Sequence, residues 1–108
     1  MTILKFFLHI SKDEQKRRLQ SRLDDPSKHW KFSSADIRER AYWDHYMQAF
    51  EDCFHNCSTP YAPWYIVPAN KKWYRNLVIA RAIADTLDAM NPQFPPAEAG
   101  LAQVTIPD

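Results

Sequence analysis

Glycine is nearly absent from this sequence of 108 residues, in which Gly100 is the only one. A loop of the GxxxxGK type, which wraps backbone N–H groups around a phosphate, needs glycines at fixed positions. These residues therefore contain no phosphate-cradling loop of that type. The formal net charge is only +1, which excludes the strong overall field that attracts nucleic acid or a membrane surface. Any attraction for a polyanion has to come from a local cluster of cations.

Long apolar runs and cysteines are scarce as well. No run approaches the roughly 18 apolar residues of a membrane span, so we expect no membrane partner. The opening segment, MTILKFFLHI, lacks the charged region, long apolar region and small-residue cleavage site of a secretory signal. The two cysteines, Cys53 and Cys57, do not make a disulfide framework. A reduced, cytoplasmic setting is the expectation that follows.

The spacing of apolar residues predicts an α/β fold for residues 1–91. Two short runs are apolar at nearly every position, which is typical of strands covered on both faces in a parallel sheet. Three other stretches have helical periodicity and helix-start or helix-stop signals. The predicted elements are a strand over 3–10, a helix over 12–24, a helix over 34–57, a strand over 62–67, a helix over 70–90, and an extended proline-rich tail over 92–108.

The helix over 12–24 combines a thin apolar stripe with many cations. Ser11 has the side chain of an N-cap residue, and Glu14 occupies the position of its reciprocal partner in a capping box. Only Leu19 and Leu23 share the apolar stripe, so the helix should rest lightly on its support. Its cations indicate a polyanionic partner. They are Lys12, Lys16, Arg17, Arg18 and Arg22.

The two later helices carry wider apolar stripes and should pack firmly against a sheet. Two short strands cannot cover both of them, because a two-stranded parallel sheet has a thin core and unpaired edges. We therefore expect the later part of a larger α/β domain, or a homo-oligomer or partner chain that supplies the missing strands. The predicted buried positions of the last helix are Trp73, Leu77, Ala80, Ala84 and Leu87.

Several separated blocks of this sequence occur in the order typical of one family. They lie in the segments KFFLHISKDEQKRRLQSRLDDPSKHWKFSSADIRERAYWDHY and STPYAPWYIVPANKKWYRNL. From about Ile3 to Met90 the chain resembles the C-terminal part of the polyphosphate kinase 2 family. The resemblance implies a P-loop kinase-like three-layer fold with parallel strands. It also implies Mg²⁺-dependent phosphoryl transfer between inorganic polyphosphate and a nucleoside mono- or diphosphate.

The resemblance also assigns roles to residues. The basic helix matches the lid that closes over the phosphates in this family, and Arg suits that role because its planar fork binds two phosphate oxygens at once. The family's phosphate loop and Mg²⁺-binding carboxylates precede the equivalent of Ile3, so we expect a truncated or split member without catalytic or metal-binding residues of its own, inactive alone. The expected polyphosphate contacts are Gln15, Arg18 and Arg22, with Lys12 and Lys16 as weaker candidates. Residues that could line a donor channel are Asn70, Lys71 and Lys72.

Three other interpretations of the same residues remain open. Asp13, Glu14 and the basic residues three and four positions after them can simply pair on a solvated face. On the two later helices, Arg40 with Asp44 and Arg81 with Asp85 have the spacing of surface pairs. The stretches KHWKF and KKWYR alternate cations with aromatic rings, a pattern that suits a single-stranded nucleic acid. The shortage of strands is typical of an interaction subunit that completes a partner's sheet.

Overall fold

The computed structural model describes all residues from 1 to 108 and contains a parallel sheet of two strands. Phe7 of the first strand lies opposite Ile66 of the second, so the predicted parallel pairing is confirmed. The strands are shorter than predicted. The elements are β1 (Lys5–His9), α1 (Lys12–Asp24), α2 (Ser34–Arg40), α3 (Trp43–Cys57), β2 (Trp64–Pro68) and α4 (Lys72–Met90), with 3₁₀ turns at Pro26–Lys31 and Leu101–Gln103.

Helix α1 begins and ends at local signals in the sequence. The Ser11 hydroxyl accepts a hydrogen bond of 3.1 Å from the Glu14 amide, as an N-cap should. The other half of the expected capping box is missing, because the Ser11 amide donates to the Asn70 side chain at 2.9 Å. The Glu14 carboxylate is thereby free to bind arginines. Asp25 ends the helix in extended conformation before Pro26.

The single helix expected over 34–57 is divided into α2 and α3. Helix α2 has a capping box in which Ser33 and Asp36 are the partners. At its end, the amides of Ala41 and Tyr42 bond to carbonyls three residues back, which tightens the last turn and redirects the chain. No glycine or proline marks this position, so the apolar period ran through it and the sequence did not predict the break.

The buried side of α4 differs from the predicted one. Trp73 and Leu77, expected in the core, are 65% and 57% exposed. The less exposed residues lie on another face. They are Arg75, Val78, Ile79, Ala82 and Thr86. Because α4 is apolar on more than one face, periodicity did not identify the face that lies against this sheet.

An aromatic cluster joins α3 to the sheet. The Phe7 ring lies 4.4 Å from that of Phe50 and 5.1 Å from that of Phe54, between centroids. Phe54 also contacts Trp64 at 5.6 Å. Contacts of this geometry stabilise beyond the area they bury. The cluster thus fixes the position of α3 against both strands.

Much of the surface is uncovered. Only Ala62, Val67 and Ala69 are buried. The radius of gyration is 22.5 Å, whereas a compact chain of this length has about 13 Å. The accessible surface is 9134 Å², against about 6,200 Å² for a compact protein of this mass. None of the helices combines the length and apolarity that a membrane span requires.

Candidate functional site

A cavity of about 550 Å³ lies where the carboxyl end of β1 meets α1, α2 and α3. Ligands of open α/β sheets bind at this end of the strands. Apolar side chains from β1, α1 and α3 form one part of the wall, among them Phe7, Leu19, Trp43, Met47 and Phe50. The charged side chains of the wall come from α1 and α2. The cavity therefore has an apolar side and a charged side.

Three arginines line the cavity, namely Arg18, Arg22 and Arg40. The two carboxylates in the wall already have partners. Asp36 accepts from the Ser33 amide at 3.4 Å, and Glu39 accepts from the Tyr46 hydroxyl at 2.5 Å. That hydrogen bond to an anion raises the pKa of Tyr46. The three arginines exceed the two carboxylates of the wall by one positive charge, which favours an anionic ligand.

Arg22 is the least constrained of the three arginines. Its only hydrogen bond runs from Nη1 to the Lys31 carbonyl at 3.4 Å, longer than the usual 2.7–3.2 Å range for such bonds. It lies near the end of α1 and projects into the cavity wall. Its guanidinium is therefore available for two hydrogen bonds to a phosphate group.

Arg18 is held by the protein itself. Its Nη2 donates to the carbonyls of Ala69 and Asn70, at 2.8 and 3.1 Å. Its Nε donates to the Glu14 carboxylate at 3.0 Å. The side chain is 26% exposed and lines the cavity. Arg18 thus connects α1 to the loop that follows β2.

Arg40 was not among the predicted site residues. Sequence spacing indicated a surface pair with Asp44, but the Arg40 guanidinium instead reaches α1. Its Nη1 donates to the Lys12 carbonyl at 2.8 Å and to Gln15 Oε1 at 3.1 Å. This contact joins residues 25 and 28 positions apart, so helical spacing carried no signal for it. By contrast, the predicted pair of Arg81 and Asp85 is present at 3.4 Å on the surface.

The structure brings only some of the predicted contact residues together. Gln15, Arg18 and Arg22 all line the cavity, whereas Lys12 and Lys16 do not. Lys16 lies in a shallow cleft on another side of α1, beside Asp13 and Arg17. Both lysine side chains are exposed.

The proposed donor-channel residues follow β2 and lie outside the cavity wall. Asn70 binds Ser11, through its Oδ1 to the Ser11 amide and through its Nδ2 to the Ser11 hydroxyl at 3.3 Å. Lys71 is the N-cap residue of α4, and Lys72 opens that helix. Both lysines are exposed and form no side-chain hydrogen bond.

The residues of this chain do not suit Mg²⁺, which prefers several oxygen ligands in octahedral geometry. Asp36 and Glu39 are the carboxylates of the cavity, and both are engaged by neighbouring groups. No cluster of three or more potential metal ligands is present.

Residues 1–95 match the family model described as Polyphosphate kinase 2. The chain belongs to the polyphosphate kinase 2 family. It is 50% identical over 105 residues to the AMP/ADP-polyphosphate phosphotransferase of Meiothermus ruber, with 97% of this chain and 39% of that protein covered. It is also 50% identical over 95 residues to the "Uncharacterized protein in chlN 3'region" of Leptolyngbya boryana, covering 88% of this chain and 70% of that protein.

A solved structure has the same fold. The crystal structure of polyphosphate kinase 2 from Arthrobacter aurescens TC1 superposes with a TM-score of 0.89 and 52% identity, covering 94% of this chain and 37% of that one. The predicted fold class is therefore confirmed. This chain spans about two fifths of the length of the Meiothermus ruber enzyme and of the Arthrobacter aurescens chain.

Proposed function

We propose that this chain supplies the lid and the adjoining cavity wall of a polyphosphate:nucleotide phosphotransferase. The reaction moves a phosphoryl group between inorganic polyphosphate and a nucleoside mono- or diphosphate. One observation carries the proposal, namely a cavity lined by arginines beneath α1, at the carboxyl end of β1, in a member of this family.

The wall suits the needs of phosphoryl transfer. That reaction depends on positioning and on neutralising the charge that spreads over the transferred group, with little covalent help from protein. Arg22 is free to contact a phosphate, and Arg40 holds Gln15 and the start of α1 beside it. In a site that excludes water, such cations stabilise the charge more strongly than they do in bulk solvent. The contribution of this chain is therefore electrostatic and positional.

Other parts of the active site belong, in this proposal, to polypeptide outside these residues. The family resemblance implies a phosphate loop and carboxylates that hold Mg²⁺, and neither is found here. The accessible surface of this chain alone exceeds that of a compact fold by about 2,900 Å², more than the roughly 800 Å² that one partner contributes to an interface of standard size. A further segment of the same domain, a second copy in a homo-oligomer or a partner chain is expected to cover it. We expect no turnover by this chain alone.

We also propose a cytoplasmic location. Both cysteines are free thiols, and thiols persist in reducing compartments. Nucleotide substrates are consistent with the same compartment.

Binding of polyphosphate by the isolated chain tests the proposal. We expect weak, salt-sensitive binding, because the attraction comes from a few local cations. Single-stranded RNA serves as the competitor. It should fail to displace polyphosphate if the cavity is built for phosphate chains, and it should displace polyphosphate if the alternating cations and aromatic rings bind nucleic acid. Absence of polyphosphate binding at low salt would contradict the proposal.

A further inference from the structure

A closed ring of hydrogen bonds joins the start of α1 to the loop after β2. We call Ser11, Glu14, Arg18 and Asn70 the helix clamp. Asn70 binds the amide and the hydroxyl of Ser11, and the same hydroxyl accepts from the Glu14 amide. The Glu14 carboxylate accepts from Arg18, and Arg18 donates back to the Asn70 carbonyl. The ring connects residues up to 59 positions apart.

The clamp also extends into the sheet. Arg18 donates to the carbonyl of Ala69 at 2.8 Å. The amide of Ala69 in turn donates to the His9 carbonyl at the end of β1, also at 2.8 Å. Ala69 is only 1% exposed. The guanidinium of Arg18 is therefore bound to a buried residue that is itself hydrogen-bonded to the end of β1.

The hydrogen bonds of Arg18 leave no pair of N–H groups that could bind two oxygens of a phosphate. A guanidinium binds two phosphate oxygens through Nε with Nη2, or through Nη1 with Nη2. Both arrangements use a hydrogen of Nη2. The two hydrogens of Arg18 Nη2 are donated to the carbonyls of Ala69 and Asn70. A bidentate phosphate contact would break the clamp and leave at least one carbonyl unpaired.

The electrostatics of the clamp are consistent with a persistent contact. The Glu14 side chain is 14% exposed and binds Arg17 as well as Arg18. Hydrogen bonds from Arg17 and then Arg18 hold the pKa of Glu14 at about 2, well below its ordinary value of 4.5. Glu14 is therefore ionised at neutral pH and keeps its charge-assisted bond to Arg18.

We infer that Arg18 is a positioning residue that fixes the start of α1 against the β2–α4 loop, while Arg22 is the arginine of this helix that contacts phosphate directly. The inference rests on the proposed function, because it assigns roles within the same cavity. It changes the role that sequence resemblance gave to Arg18 and Asn70. The two arginines lie one helical turn apart on the same helix, yet Arg18 makes three hydrogen bonds within the protein, whereas Arg22 makes a single long one.

The first test needs no ligand. Amide hydrogen exchange is measured over residues 12–18 of the full chain, in the wild type and in Arg18→Gln, Asn70→Ala and Arg22→Gln. The first two variants should increase exchange at the start of α1, about fivefold for the loss of a typical net hydrogen-bond contribution. Arg22→Gln should leave it unchanged. Unchanged exchange in both clamp variants would overturn the inference.

The second test separates positioning from direct contact by polyphosphate titration at several salt concentrations. Asn70→Ala removes no charge, yet it should weaken binding as Arg18→Gln does, and the double variant should be no worse than either. Arg18→Lys keeps the charge but lacks the planar group that reaches Glu14 and both carbonyls, so it should lose as much affinity as Arg18→Gln. Arg22→Lys keeps the charge and loses the two-oxygen contact, so its affinity should fall between those of the wild type and Arg22→Gln. Additive losses, or rescue of binding by Arg18→Lys, would assign Arg18 to the phosphate instead.

The two tests distinguish failure of the clamp from failure of the proposed function. If the wild-type chain did not bind polyphosphate, the proposed function would be wrong. The hydrogen-exchange measurement would still test the clamp, because it needs no ligand. Circular dichroism identifies any variant that has lost its helices. If Arg18→Gln has lost its helices, the exchange measured in the milder Asn70→Ala variant decides the test.

Discussion

The substitution Arg22→Gln gives the most direct estimate of what the cavity contributes to anion binding. Glutamine preserves much of the side-chain length and removes the charge. A hydrogen bond to a charged group contributes about 1.5–3 kcal/mol. Arg22 is only half-buried at the wall of the cavity, so the lower end of that range applies. We expect polyphosphate affinity to fall about tenfold.

The salt dependence of binding adds a second, independent number. If polyphosphate releases counterions as a single-stranded nucleic acid does, each lost cation contact lowers the slope of log affinity against log salt by about 0.7. Titration of labelled polyphosphate by fluorescence anisotropy at four salt concentrations measures both quantities. Arg81→Gln is the matched control, because Arg81 is exposed on α4 and lies outside the cavity wall.

The control should leave both affinity and slope unchanged. If Arg22→Gln and Arg81→Gln weakened binding equally, the attraction would belong to the overall charge of the chain. If neither had an effect, the cavity would not be the binding site. Either result would refute the assignment of Arg22.

Two further predictions concern folding. Phe54→Ala removes a ring that contacts Phe7, Phe50 and Trp64. We expect the free energy of unfolding, measured in urea, to fall by about 2 kcal/mol, less than the 3–5 kcal/mol typical of a fully buried ring. An unchanged unfolding midpoint would argue against the cluster. Because the folded pKa of Glu14, about 2, lies below its ordinary value of 4.5, its contribution to stability should be complete above about pH 4.5 and be lost as the pH falls through about 2. Glu14→Gln should flatten this part of the stability profile, and an identical profile in both proteins would count against the clamp.

The sequence predicted those features of the fold that depend on neighbouring residues. Ser11 and the Asp25–Pro26 step gave the bounds of α1, because caps and prolines act within a few positions along the chain. The parallel pairing of the strands followed from two apolar runs separated by helices. The sequence also indicated a shortage of strands, and the large exposed surface is consistent with it.

The sequence did not predict features that depend on distant residues. Asn70 replaces Glu14 as the partner of the Ser11 amide, across 59 positions. The prediction of which face of α4 meets the sheet was wrong, since Trp73 and Leu77 are apolar yet exposed. Apolar periodicity identifies which helix faces avoid water, but it does not say which neighbour covers each one.

At the candidate site, too, the sequence predicted local features and missed contacts between distant residues. Family resemblance placed Arg18 and Arg22 on the lid, and both line the cavity. It could not show that Arg18 is already bound to the Ala69 and Asn70 carbonyls. Arg40 was missed because its partners lie on another helix. The assignment of phosphate contacts therefore stays a prediction, with Arg22 as its best-supported member.

Reconstituted phosphoryl transfer is the most direct test of whether this chain is the lid-bearing part of a larger site. The purified chain is mixed with a polypeptide that carries the GxxxxGK loop of a family member, and nucleotide products are measured with polyphosphate and Mg²⁺. We predict product only in the mixture, with less product when the chain carries Arg22→Gln. Nucleotide conversion by the chain alone, or a stable complex without any turnover, would contradict that assignment.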